Sequence, residues 1–209
     1  MRNALRISLL GAIVVGCGGE SSDGTGPFVD PRDGHSYSRV TIAGATWMGE
    51  NLAWEAPSGS FCYDGMPANC ATGGRLYTFV AAMSACPAGW HLSTDAEWKA
   101  VEAFLGMPAA DLDFDIYAVP RGSDEGTKLK EGGASGLDFP MTGYAELTDG
   151  AVTLWDGLTS AGKRTYLWTS TPGTNGVLRR RLEETGAAVY RFSAASDGFA
   201  VSVRCVEGR

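Results

Sequence analysis

The stretch from Cys86 to Trp98 (C-P-A-G-W-H-L-S-T-D-A-E-W) constrains the fold more than any other, because it holds a helix end, an extended segment and a helix start. Pro87 has no amide hydrogen to continue a helix and pushes Cys86 out of the α region, so the apolar-periodic run before it stops there. Trp90, His91 and Leu92 then read as extended. Thr94, followed three residues later by Glu97, forms a capping box in which hydroxyl and carboxylate each take an orphan amide, so a helix starts at about Asp95.

Around this stretch the periodicities assign the rest. Leu76, Phe79, Val80 and Met83 in Arg75 to Ala85 stand at i, i+3, i+4 and i+7 and predict a helix with that face in the core. Trp98, Val101, Phe104 and Leu105 repeat the pattern, and Gly106 and Pro108 end it near Leu105. Earlier, Val40 and Ile42 alternate with polar neighbours ahead of Ala43-Gly44-Ala45 and Trp47-Met48, a hairpin signal. Asn51 to Cys70 reads as a loop, and Met107 to Arg164 as long, glycine-rich ordered loops with room for short strands. Tyr166 to Thr171, Ala188 to Ala194 and Ala200 to Val206 alternate as late antiparallel strands. No repeat and no alternation of strand and helix calls for a parallel sheet, so the expected class is α+β.

The amino terminus reads as an export signal. Arg2 and Arg6 precede an apolar run, Ile7 to Val15, too short to span a bilayer as a helix. It ends V-V-G-C, resembling the lipobox at which a bacterial lipoprotein is lipidated on cysteine, here Cys17; the rival is an ordinary signal peptide with a chance cysteine. The division expected is signal peptide 1–16, lipidated Cys17 with a tether over 17–32, and one domain over 33–209. A glycine-rich tether of this kind reaches roughly 20 Å. The full chain carries a formal −7, and without Arg2 and Arg6 it has 15 basic against 24 acidic side chains, or −9. Such a balance argues against nucleic acid as a partner.

Export also changes how the cysteines read, since thiols pair in an oxidising envelope. Cys62, Cys70, Cys86 and Cys205 permit three pairings. A local Cys62–Cys70 loop is worth about 2.5 kcal/mol and a Cys86–Cys205 closure roughly 5 kcal/mol in the chain-entropy model, and this pair of bridges is the one expected. A zinc site is the rival, but no C-x-x-C or H-x-x-x-H spacing is present.

Several motifs together carry a family resemblance: V-T-I-A-G-A-T-W-M-G-E-N-L, Y-D-G-M-P-A-N-C, G-R-L-Y-T, the stretch from Ala85 to Trp98, G-T-K-L-K and the terminal G-F-A-V-S-V-R-C-V. From about Asp33 to Val206 the chain resembles the Fibrobacter succinogenes major paralogous domain, a family similar in turn to the C-type lectin-like fold. The resemblance implies two helices flanking small antiparallel sheets, a long-loop region that carries ligands, and a bridge from a cysteine near the first helix to the last strand, positions that Cys86 and Cys205 fit. It implies secreted or surface lipoproteins of bacteria and no general activity. The E-P-N, Q-P-D and W-N-D tripeptides through which sugar-binding C-type lectins hold calcium are absent. The same fold occurs in formylglycine-generating enzymes, which need reactive cysteines, and paired Cys86 and Cys205 leave none for that chemistry.

Candidate sites remain. Asp111, Asp113 and Asp115 alternate in D-L-D-F-D-I-Y, so an extended backbone would turn three carboxylates to one side, as a calcium site or as a solvated acidic edge. The EF-hand places for glycine and glutamate hold Ile116 and Gly122. Tyr117, Tyr144 and Trp155, with Phe139, are loop aromatics able to stack on sugars or a protein, or to pin loops to the core. His91 could activate a free Cys86 thiol, though a structural role fits a bonded cysteine better. Arg179, Arg180 and Arg181, followed by Glu183 and Glu184, read as a solvated turn or hairpin with internal charge compensation. The expectation is a non-enzymatic, lipid-anchored envelope protein that binds a glycan or a protein, without cofactor; the alternatives are an oxidative enzyme or a purely structural component.

Overall fold

The structure, a computed structural model, describes residues 26–155 and 163–208. The expected signal peptide, Cys17 and residues 17–25 of the expected tether lie outside the described residues. The end of that tether is folded. β1 (Phe28–Val29) pairs with β2 (Ser36–Tyr37), and buried Asp30 holds Arg32 at 2.6 Å. The domain therefore begins ahead of residue 33. No helix among the described residues is long and apolar enough to cross a membrane.

β3 (Arg39–Ile42) and β4 (Ala45–Met48) form the expected hairpin, closed by Ala43 and Gly44 at φ of 51° and 80°. Two positive φ values at the centre of a two-residue turn give it the twist of the flanking strands. The expected loop from Asn51 to Cys70 instead contains β5 (Ser60–Phe61), a 3₁₀ turn (Tyr63–Gly65) and the start of α1 (Pro67–Gly73), which opens on the proline whose missing amide costs nothing there. Cys62 and Cys70 are bonded across it.

The helix expected over Arg75 to Ala85 is shorter, because its first turn is β6 (Leu76–Thr78) and α2 spans Phe79–Ala85. The hydroxyl of Thr78 caps it by accepting from the Ala81 amide at 3.3 Å. The buried face is Ala82 and Ala85, while Val80 is 83% exposed and Met83 half exposed, so the apolar stripe expected there is not the core face. A strand residue, Leu76, had completed a helical spacing by coincidence. β7 (Trp90–Leu92) and α3 (Asp95–Phe104) follow, with the Thr94/Glu97 capping box in place. Trp98 and Val101 are buried, whereas Phe104 is 69% exposed.

The region from Met107 to Arg164 holds α4 (Glu125–Leu129), β8 (Ala145–Thr148) and β9 (Ala151–Trp155). The remaining elements are β10 (Arg164–Gly173), β11 (Gly176–Glu183), β12 (Tyr190–Ala194), β13 (Phe199–Ser202) and β14 (Cys205–Glu207). The large sheet runs β12-β11-β10-β13-β6-β5, with β8 on β13 and β9 on β8; a second sheet runs β3-β4-β14-β7. β10 and β13 are paired parallel at Leu167 and Ser202, which corrects the all-antiparallel expectation for the late strands. The last expected strand is two, since the chain leaves the large sheet at Val203-Arg204 and joins the small one. Cys86 and Cys205 are bonded at that junction, tying the end of α2 to β14.

The expected α+β class, two helices flanking small sheets in the C-type lectin-like manner, is corrected. Among the described residues the fold is β-rich, with fourteen strands in three sheets against four short α-helices. Two causes account for the difference. The charge of β11 hides a strand from hydropathy, and the glycine-rich middle contributes β8 and β9 to the large sheet.

Candidate functional site

Alternation along β11 sorts its arginines onto opposite faces of the large sheet. In register, Leu167, Arg180 and Arg191 form one row across β10, β11 and β12, and Trp168, Arg179 and Phe192 form the next, with side chains on the other face. None of the arginines is solvated. Arg180 is 0% exposed, Arg179 4%, and Arg181 is also buried, which corrects their reading as a surface turn. Gly176 at φ 130° opens β11, where any Cβ would collide with the carbonyl of Ala194 on β12.

The Arg180 face meets α3. Glu102 Oε1 accepts from Arg180 Nε at 2.6 Å and from Arg121 Nη2 at 2.7 Å. Asp95 takes Arg191 through two bonds of 2.8 and 2.9 Å and pairs with Arg180 Nη1 at 2.8 Å. Burial alone would raise the Asp95 carboxyl, but the Arg191 hydrogen bonds and the charge of Arg180 bring it down to about 2. The same arginines hold the acidic segment. Arg121 donates to the Leu112 carbonyl at 3.0 Å and Arg191 to the Asp113 carbonyl at 2.8 Å.

This explains what becomes of Asp111, Asp113 and Asp115. Residues 111–113 form a turn rather than the extended backbone that would align the carboxylates. Asp113 pairs with Lys99 at 2.8 Å, and Asp115 accepts from the Ser193 amide and hydroxyl at 2.5 and 2.7 Å. No metal-binding group of three is found among the described residues. His91 bridges the Gly208 carbonyl at 3.2 Å and Glu97 at 2.8 Å, with Cys86 bonded to Cys205. Phe139 is core, stacked 5.2 Å from Trp98.

The opposite face opens into a cleft of about 310 Å³, at the small end of ligand-binding cavities. It brings Tyr117 and Tyr144 together, two of the loop aromatics singled out by sequence. Tyr117, 55% exposed, stands edge-on to Phe192 at 4.8 Å, with the Arg181 guanidinium 4.9 Å from its ring. Tyr144 stands edge-on to Tyr166 at 5.1 Å and near Phe199 at 5.9 Å. Its hydroxyl donates to Glu146 at 3.3 Å, and Glu146 also lines the cleft. Burial raises the Tyr166 phenol above its ordinary value, keeping it neutral. The backbone of Trp155, at the end of β9, lies opposite Ala145 on β8, but its side chain falls outside the described residues.

Arg179 lines the cleft between aromatic rings, 4.1 Å over Trp168 and 5.2 Å from Phe199. Burial pushes it down to about 10, with Tyr166 and Asp197 opposing the shift, so it stays cationic near neutrality. Sequence reasoning missed this residue and the strand rings of Tyr166, Phe192 and Phe199. The available signal was the V-L-R-R-R-L run itself, apolar at both ends and set between T-N-G and a later turn.

The family model described as the Fibrobacter succinogenes major domain matches residues 40–207. The chain belongs to that family. No curated protein and no solved structure matches it. In this member of the Fibrobacter succinogenes major family, the matched segment contains both disulfides, the arginine-carboxylate cluster and every described residue of the cleft.

Proposed function

We propose that the chain is a non-enzymatic recognition protein of the bacterial cell envelope, lipid-anchored through Cys17, and that its aromatic cleft takes a ring of a glycan. The observation that carries this is the cleft itself. Flat rings on loop and strand, an exposed tyrosine at the rim and a few polar groups are what a sugar's apolar face and hydroxyls require. The four cysteines of the described residues are bonded in pairs, which supports a reading without thiol chemistry. The lipobox-like V-V-G-C supports the anchor.

A glycan array probed with the protein, followed by titration with tryptophan emission as the signal, tests the reading. Hits that weaken about tenfold or more in Tyr117→Ala are expected. No hit above background, or hits indifferent to Tyr117→Ala, would overturn it. The exposed run of Phe114, Ile116, Tyr117 and Val119 beside the cleft favours a protein ligand as the second reading. Pull-down by the protein with an empty array selects that alternative.

A further inference from the structure

Buried arginines in this fold have their hydrogen bonds or their charge answered from within, with one departure. Arg180, Arg191 and Arg121 have Asp95 or Glu102. Arg204 has no carboxylate, but its Nη1 donates to the Met48 carbonyl at 2.9 Å and the Leu137 carbonyl at 2.8 Å, and its Nη2 to Asn51 at 3.0 Å. Arg179 has neither arrangement. Nη2, which donates to the Ala195 carbonyl, is the only one of its nitrogens with an acceptor among the described residues, and buried Nε has none. No carboxylate forms an ion pair with it there, and the charge of Asp197 acts on it without a contact. A desolvated guanidinium in that state is unfavourable until an anion arrives. It also lines the cavity into which a ligand would go.

We propose that the cleft selects sugars carrying a carboxylate, with the guanidinium of Arg179 receiving that carboxylate and the tyrosines holding the ring. This rests on the glycan reading above and narrows it. An arginine fork matches the two oxygens of a carboxylate, and the apolar walls strengthen the pair by excluding water. The chain's formal charge of −7 provides no general attraction for polyanions, so the preference is local to the site. Glu146 on the same cleft accepts from sugar hydroxyls and disfavours rings bearing more than one negative charge. The class is therefore uronic-acid-type sugars rather than phosphorylated or multiply sulfated ones.

The test uses the full chain in detergent, titrated with glucuronate, galacturonate and mannuronate oligosaccharides and with the same oligosaccharides after reduction of their carboxyls to alcohols. Trp168 beneath Arg179 supplies the emission signal, and calorimetry an independent one. At least one acid is expected to bind tenfold or more tightly than its reduced form. In Arg179→Gln that ratio should fall to within threefold, and in Arg179→Lys, which keeps charge but not the fork, it should be intermediate. Equal binding of acid and reduced forms would overturn the acidic preference and leave the glycan reading standing. An unchanged ratio in Arg179→Gln would overturn the role of Arg179. Failure of every oligosaccharide to bind, with array hits elsewhere, would overturn the inference alone; with an empty array, it would overturn both.

Discussion

Arg179 and Arg180 are neighbours on β11, both buried, and they differ in what faces them. Arg180 meets Glu102 and Asp95 on α3, with Arg121 and Arg191 completing a cluster in which each charge has an opposite within hydrogen-bonding reach. Arg179 meets the rings of Trp168 and Phe199 and a cavity. One side of the sheet thus uses arginine to fasten α3 and the acidic 111–116 segment to the strands. The other side keeps its arginine beside open space. The contrast teaches that a buried cation is structural or ligand-directed according to whether the fold supplies its counter-charge.

The largest effect on this comparison should come from Glu102→Ala. It leaves Arg121 and Arg180 without their shared carboxylate and should cost about 3–5 kcal/mol, read as a lowered denaturant midpoint at unchanged slope. A loss under 1 kcal/mol would mean the cluster does not fasten α3. Asp95 sharpens the picture through pH. Its folded carboxyl is held at about 2 against an ordinary 3.8, so its stabilisation is present above about pH 4 and is lost as pH falls toward 2. Asp95→Asn should remove that acid limb and lower stability near neutrality by on the order of 2 kcal/mol. An acid limb of unchanged size in the variant would assign it to other carboxylates. Tyr117→Ala should cost about 1 kcal/mol or less in stability while weakening sugar binding about tenfold or more, because the ring is exposed and its partner Phe192 stays packed.

What could be read from the sequence was local. The capping box at Thr94 and Glu97, the Ala43-Gly44 turn and the end of α3 depend on residues within four positions, and each lies where the spacing put it. The even cysteine count pointed to the two bridges that the structure contains. The β-rich class was not legible, and an α+β class was expected in its place, because β11 depends on contacts remote in sequence. Arg180 reaches Glu102 across 78 residues and Arg191 reaches Asp95 across 96, so an arginine run looked solvated until the fold supplied its carboxylates. The cleft was half legible. Tyr117 and Tyr144 stood out as loop aromatics, while Tyr166, Phe192 and Phe199 looked like ordinary strand residues and Arg179 like surface.

The central claim is that the two faces of β11 serve different ends, and paired denaturation of Arg180→Met and Arg179→Met tests it most directly. Arg180→Met should lose about 3 kcal/mol, since Glu102 and Asp95 lose a buried partner. Arg179→Met should change stability by less than about 1 kcal/mol in either direction, because an unpaired desolvated charge is replaced by an apolar chain of similar reach. Equal losses in the two variants, or a larger loss from Arg179→Met, would contradict the assignment of one face to structure and the other to a ligand.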